Sequence, residues 1–297
     1  MRRYSIRALR TAATSATILA LVACSHSLVQ GVGTTNGHSC SGPSHLTTTA
    51  LSTYDRVTLA MGPTAYVDLA SPRGIRNLTS CGAVPRVVGV LRPAAQPMPD
   101  GESAVDFVGT SSVVLGSEDD FSIGPQGLTL EAWIRPSTLT FGHTESTGYV
   151  NWLGKGHPGA FEYTFRMYSR GNSEGRGNRL SAYVFNNRGG KGSGSYVQDD
   201  LRVGEWIFLV AVFSRSPVNG YAADSVVLFK DGTRRMSTPN SQFDVVPHKS
   251  GAPLVIGTLD GRSYFQGSIA KVAVFDSALS DKEVAVQFAS MTRISSN

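Results

Sequence analysis

Leu128-Thr129-Leu130-Glu131-Ala132-Trp133-Ile134-Arg135-Pro136 is the stretch on which the fold turns. Leu128, Leu130, Ala132 and Ile134 alternate with Thr129, Glu131, Trp133 and Arg135, the period of a strand with one buried face and one partly exposed. A second run sets Ile207, Leu209, Ala211 and Phe213 against Trp206, Phe208, Val210 and Val212. Apolar on both faces, it predicts a central strand covered on both sides. Val226 to Lys230 leads into Asp231-Gly232, where glycine's freedom at positive φ marks a hairpin reversal. Ile269 to Phe275 predicts a further strand. It is followed by Ser280-Asp281-Lys282-Glu283, in which Ser280 can cap the Glu283 N–H while the Glu283 carboxylate returns to the Ser280 N–H. Val284, Ala285, Phe288 and Ala289 then supply a narrow apolar helical face. The pattern predicts an all-β chain, a two-sheet antiparallel β-sandwich with one short C-terminal helix on its edge.

Composition agrees, with 32 glycines and 14 prolines for turns and 41% hydrophobic residues for a core. The net charge of +5 misleads, because four of those charges are Arg2, Arg3, Arg7 and Arg10 in a leader that holds no acid; the chain from Cys24 onward carries +1. That is no footprint for nucleic acid. The leader arginines, the uncharged stretch Thr11 to Ala20 and the closing Leu21-Val22-Ala23-Cys24 resemble a bacterial lipoprotein signal, residues 1–23, with Cys24 as the lipidated mature N-terminus. The alternative is an ordinary secretory signal in which Cys24 is incidental. The uncharged run is short for a membrane span. With Cys24 lipidated, Cys40 and Cys81 remain as an even pair in an oxidising compartment, which predicts a disulfide against the alternative of two free thiols. Residues 24–53, rich in Ser, Thr, Gly and His, read as a flexible tether, 54–291 as the folded domain and 292–297 as a tail. The expected location is the cell envelope, through the lipid anchor.

The pieces of the folded part occur in a recognisable order. Gly62 to Leu69 forms a lead-in strand, and Ala104-Val105-Asp106-Phe107-Val108-Gly109-Thr110 an "F-x-G" strand and turn. Leu128 to Pro136, Gly204 to Phe213, Val227-Leu228-Phe229-Lys230-Asp231-Gly232, Leu254-Val255-Ile256-Gly257 and Phe265 to Phe275 follow, before the Ala278-Leu279-Ser280 helix start. Together they resemble the laminin-G-like jelly-roll domain of the concanavalin A-like lectin/glucanase superfamily. The resemblance implies a jelly roll and a non-catalytic module that binds carbohydrate, acidic polysaccharide included. The alternatives are a protein-binding adhesion or scaffold module and, third, a glycan hydrolase or lyase. No cofactor is required; a structural calcium is the one the resemblance raises. Related domains often take an acid for it from a "G-x-x-D-E-V" run, but Gly267-Ser268-Ile269-Ala270-Lys271-Val272 has Ala and Lys at the acidic positions. Asp106 and Asp276 remain as candidates, against the reading that they are surface turn acids.

No catalytic motif is present. A glycosidase needs two carboxyls flanking the bond, whereas Glu131, Glu162 and Glu205 stand singly and Asp119-Asp120 and Asp199-Asp200 point to opposite faces if extended. There is no H-E-x-x-H, G-x-S-x-G or P-loop. The candidate ligand surface is the cationic stretch from Arg166 to Tyr196. Arg166, Arg170, Arg176, Arg179 and Arg188 interleave there with Tyr168, Tyr183 and Tyr196, opposed only by Glu174. Arginine forks suit uronate or sulfate and tyrosine rings suit sugar faces. The competing reading is two strands, near Phe161 to Tyr168 and Arg179 to Asn186, whose polar faces simply meet water. Trp152, with Tyr149 and Tyr221, is open between core packing and a sugar platform.

Overall fold

The computed structural model describes residues 51–70, 74–79, 83–117, 120–187 and 192–291. Cys24, Cys40, Cys81 and Arg188 lie outside them, as do the leader and nearly all of the expected tether. Helix α1 (Thr53–Ala60) comes first, then β1 (Ala65–Asp68), β2 (Arg76–Asn77), β3 (Arg86–Val88), β4 (Leu91–Pro93), β5 (Val105–Val108) and β6 (Ser112–Leu115). The long strands are β7 (Leu128–Pro136), β8 (Tyr149–His157), β9 (Ala160–Tyr168), β10 (Arg179–Val184), β11 (Ser193–Gln198), β12 (Ile207–Ser214), β13 (Ser225–Lys230) and β14 (Thr233–Pro239). A short 3₁₀ turn, Asn240–Phe243, precedes β15 (Leu254–Ile256), β16 (Gln266–Phe275) and α2 (Asp281–Ser290).

Two antiparallel sheets form the sandwich. The nine-stranded sheet runs β14-β13-β12-β7-β16-β1-β2, with β5 beside the first half of β16 and β4 beside β5. The seven-stranded sheet runs β11-β10-β9-β8-β15-β6-β3. The alternation of β7 places Leu128, Leu130, Ala132 and Ile134 in the core between the sheets, facing Trp152, Phe165 and Phe265. The predicted hairpin joins β13 to β14, with Asp231 and Gly232 both at positive φ, as a primed two-residue turn requires.

The helices depart from expectation. Two are present among the described residues, and they cover the outer face of the nine-stranded sheet rather than its edge. Helix α1 starts from a capping box of Ser52 and Asp55, just where the tether was expected to end. Its Tyr54 packs against Trp133 and Phe208, and Phe288 of α2 stacks on both. β7 is therefore buried along both faces, not partly exposed. The predicted α2 capping box is present, with Ser280 N–H donating to Glu283 Oε2 at 2.7 Å. The inward stripe, however, is Val284, Gln287 and Met291, buried, with Phe288 partly buried beside them; Ala285 and Ala289 are exposed. The helix turns this way because the Gln287 amide donates to Glu131 Oε1 at 3.1 Å, which Tyr54 Oη also approaches at 3.1 Å. Among the described residues no helix is long and apolar enough to cross a membrane.

Candidate functional site

Among the described residues no helix covers the outer face of the seven-stranded sheet at its β9-β10-β11 end, and its register builds a site there. Arg166 of β9 lies opposite Ser181 of β10, which lies opposite Tyr196 of β11; Arg179 lies opposite Gln198. Alternation brings Arg166, Arg179, Tyr183 and Tyr196 out on one face while Phe165, Leu180, Ala182 and Val197 enter the core. With Arg176, these side chains line a groove of about 530 Å³, whose far wall is Met236, Thr238, Gln242 and Phe243 from β14 and the 3₁₀ turn. Five of the residues expected to hold a ligand thus converge. They line one open groove on the exposed face of β9 to β11.

The guanidinium groups stack on aromatic rings. Arg179 Cζ lies 3.9 Å from the Tyr196 ring centre, and its Nη2 and Nε donate to Gln198 Oε1 at 2.9 and 3.1 Å. Arg166 Cζ lies 4.5, 4.8 and 5.1 Å from the rings of Tyr149, Tyr183 and Phe185. Such contacts stabilise by about 0.5–2 kcal/mol each and hold a long side chain in one orientation. Burial and the neighbouring Tyr168 push the Tyr183 hydroxyl up to about 12, so it stays neutral and adds no anion to the groove. Tyr183 can lie over the sheet because β11 has glycine beside it: a Cβ on Gly194 would come within 2.6 Å of the Tyr183 ring.

Three expected positions sit elsewhere. Trp152 is 0% exposed and stacks on Phe165 at 5.1 Å in the core. A bulge between Asn151 and Leu153 adds a residue to β8, so Val150, Trp152 and Leu153 all turn inward, and no sugar can reach the indole. Tyr168 is buried beneath Arg176 and Arg179, whose Cζ atoms lie 6.0 and 5.9 Å from its ring, and is not among the groove's lining residues. Arg170 is exposed in the turn after β9 and does not line the groove. Tyr149, open at the level of sequence, joins the Arg166 cage, whereas Tyr221 is buried and donates to Leu279 O at 2.7 Å. Sequence reasoning missed Phe185, Asn151 and the β14 wall, because a register, a bulge and an inter-sheet contact bring them in.

None of the groove's described lining residues is Asp or Glu, the residue types a glycosidase pair needs. Nor do the calcium candidates fit an ion. Asp106 accepts a short hydrogen bond from Ser268 Oγ and faces Arg135 at 3.7 Å, while Asp276 is exposed beyond the opposite end of β16. A carboxylate cluster does form on that strand, but an ammonium fills it. Lys271, only 1% exposed, holds Glu102, Asp55 and Asp68 at 2.6, 2.8 and 3.0 Å. Burial alone would lower its pKa; the charges of Asp68, Asp55 and Glu102 outweigh that and raise it, so the cation stays in place. Among the described residues no group of three metal-ligating side chains has the arrangement to hold a metal.

A family model described as the concanavalin A-like lectin/glucanases superfamily matches residues 107–285. Domain 4 of AbnA, a GH43 extracellular arabinanase from Geobacillus stearothermophilus solved in complex with arabinotriose, aligns with a TM-score of 0.53 at 16% identity, over 76% of this chain and 97% of that one. The binding domain of Paraclostridial Mosquitocidal Protein 1 aligns with a TM-score of 0.56 at 11% identity, over 77% and 52%. The binding domain of botulinum neurotoxin DC, in complex with SialylT, aligns with 0.54 at 11%, over 81% and 53%. This chain spans about half the length of those two toxin domains. At such identities the likeness establishes the fold alone. Among curated proteins, none matches the sequence.

Proposed function

This chain belongs to the concanavalin A-like lectin/glucanases superfamily, and from that premise we propose that it is a non-catalytic carbohydrate-binding module whose ligand lies in the β9-β10-β11 groove. The observation that carries this reading is the stacking of Arg166 on Tyr183 and of Arg179 on Tyr196 in a groove with no acid among its described lining residues. Tyrosine faces offer the apolar surface that sugar rings stack on, and fixed guanidinium forks offer hydrogen bonds and positive charge. Acidic polysaccharide suits this surface best. Structural neighbours solved with sugars, the arabinanase domain among them, support the same class of ligand.

The test is retention of the soluble protein on neutral and acidic polysaccharides, with Tyr196→Ala and Arg179→Ala beside it. Wild type is expected to be retained on an acidic polymer, with affinity falling as salt rises; each variant should lose on the order of tenfold or more, the loss of one well-placed contact. Retention of both variants at wild-type strength would place the ligand elsewhere. In this reading lipidated Cys24 and its tether display the module at the envelope and Cys40 pairs with Cys81 in a disulfide, and Cys24→Ala should release the protein from membranes.

A further inference from the structure

The three groove arginines are not equivalent. Arg176 pairs with Glu174 at 2.9 Å, and Arg179 gives two donors to the amide oxygen of Gln198. Arg166 has no carboxylate partner among the described residues, although it is half-buried among three rings. A charge withdrawn from water without a counter-charge is costly, so a chain keeps one where something else supplies the anion.

Arg166 is also held for that purpose. Its Nε donates to Asn151 Oδ1 at 2.9 Å, and the Asn151 amide donates at 2.8 Å to Asp260 Oδ2. Asp260 is fixed in turn by Ser263, whose N–H and Oγ both donate to it at 2.6 Å. The relay consumes only Nε. The ring cage packs the planar faces, and the terminal nitrogens carry no hydrogen bond among the described residues. Beneath them Ser181 Oγ is buried without a partner, on the position opposite Arg166. A planar two-donor edge, free, half-desolvated and fixed in angle, matches one chemical group best: a planar carboxylate taken bidentately.

We propose that Arg166 is the specificity-determining receptor for a uronate carboxylate, oriented by the positioning residues Asn151 and Asp260. This rests on the carbohydrate reading of the groove and names the sugar class it selects.

The experiment measures affinity of the full chain for polygalacturonate, for the same polymer fully methyl-esterified, and for a sulfated galactan. Wild type, Arg166→Lys, Asn151→Ala and Arg179→Ala are compared after circular dichroism shows each folded. Wild type is expected to prefer polygalacturonate over its ester by about tenfold or more. Arg166→Lys keeps the charge but loses the fork, and should erase that preference. Asn151→Ala should weaken polygalacturonate binding while leaving residual binding of the ester unchanged, a split that a general loss of stability would not produce. If Arg166→Lys keeps the preference, or if sulfated galactan binds as tightly as polygalacturonate, the assignment falls while groove binding stands. If Arg166→Lys is unfolded, the wild-type ester comparison and Asn151→Ala decide it alone. If no polymer binds to wild type, both the assignment and the carbohydrate reading fail.

Discussion

Glu131 shows how one side chain can be visible in a sequence and unreadable there. It stands as the single acid in the central run of β7, and alternation correctly places it off the core face between the sheets. Its burial comes from elsewhere: α1 brings Tyr54 and α2 brings Gln287, from 77 positions before and 156 after. Burial raises the carboxyl to about 8, against the smaller lowering from the hydrogen bonds of Tyr54 and Gln287. The sign follows. The acid is neutral in the folded protein and ionises near 4.3 when unfolded, so its favourable contribution is whole below about pH 4 and is lost as pH rises towards 8. Glu131→Gln keeps the oxygen that accepts both hydrogen bonds and removes the titration. Urea unfolding at pH 5, 7 and 9 should show the variant holding its stability while wild type falls by an amount on the order of 5 kcal/mol between pH 4 and 9. Parallel pH curves for the two proteins would mean that Glu131 does not titrate across this range.

At the scale of elements, what was legible was what local chemistry dictates. The Asp231-Gly232 turn and the Ser280 cap are set by residues within a few positions of each other, and both form as read. Helix α1 was equally readable, since Ser52 and Asp55 have the capping-box spacing; its residues from Tyr54 on were placed in the folded domain, but without a strong apolar stripe they gave no helical period. β11 is the harder case. The sequence names no strand there, yet Gly194 lies inside one, where a Cβ would meet Ala182 O at 2.4 Å. Gly194→Ala therefore has to shift the β10 backbone at Ala182 and the Tyr183 ring as well. It should cost roughly 1–3 kcal/mol by overpacking and weaken polysaccharide binding as well. Calorimetry on the variant checks the first effect and a binding titration the second; an alanine tolerated in both would show that the strand pair relaxes freely.

For the whole molecule, the sandwich followed from the order of its strands, but its third layer did not. Periodicity says that a face is apolar without saying what covers it, and β12 could have met a second sheet as well as helices. The groove was half legible for a related reason: residue types in β9 to β11 name the chemistry, while the bulge at Trp152 and the Arg166 cage depend on register across strands. The same layering makes a thermodynamic prediction. Trp152 lies in the core between the sheets and Trp133 in the separate apolar layer under α1 and α2. The two layers share β7, β12 and β16, whose alternate residues enter one layer or the other, so neither can be lost without exposing the back of the same strands. Unfolding should be a single cooperative step. Two variants report on it separately: Trp152→Phe with Trp206→Phe leaves only Trp133 fluorescent, and Trp133→Phe with Trp206→Phe leaves only Trp152. Within each variant, the fluorescence midpoint in denaturant should coincide with that from far-ultraviolet circular dichroism. A Trp133 transition at distinctly lower denaturant than loss of the sheets would show that the helical layer detaches first, and that β7 and β12 hold together with one face bare.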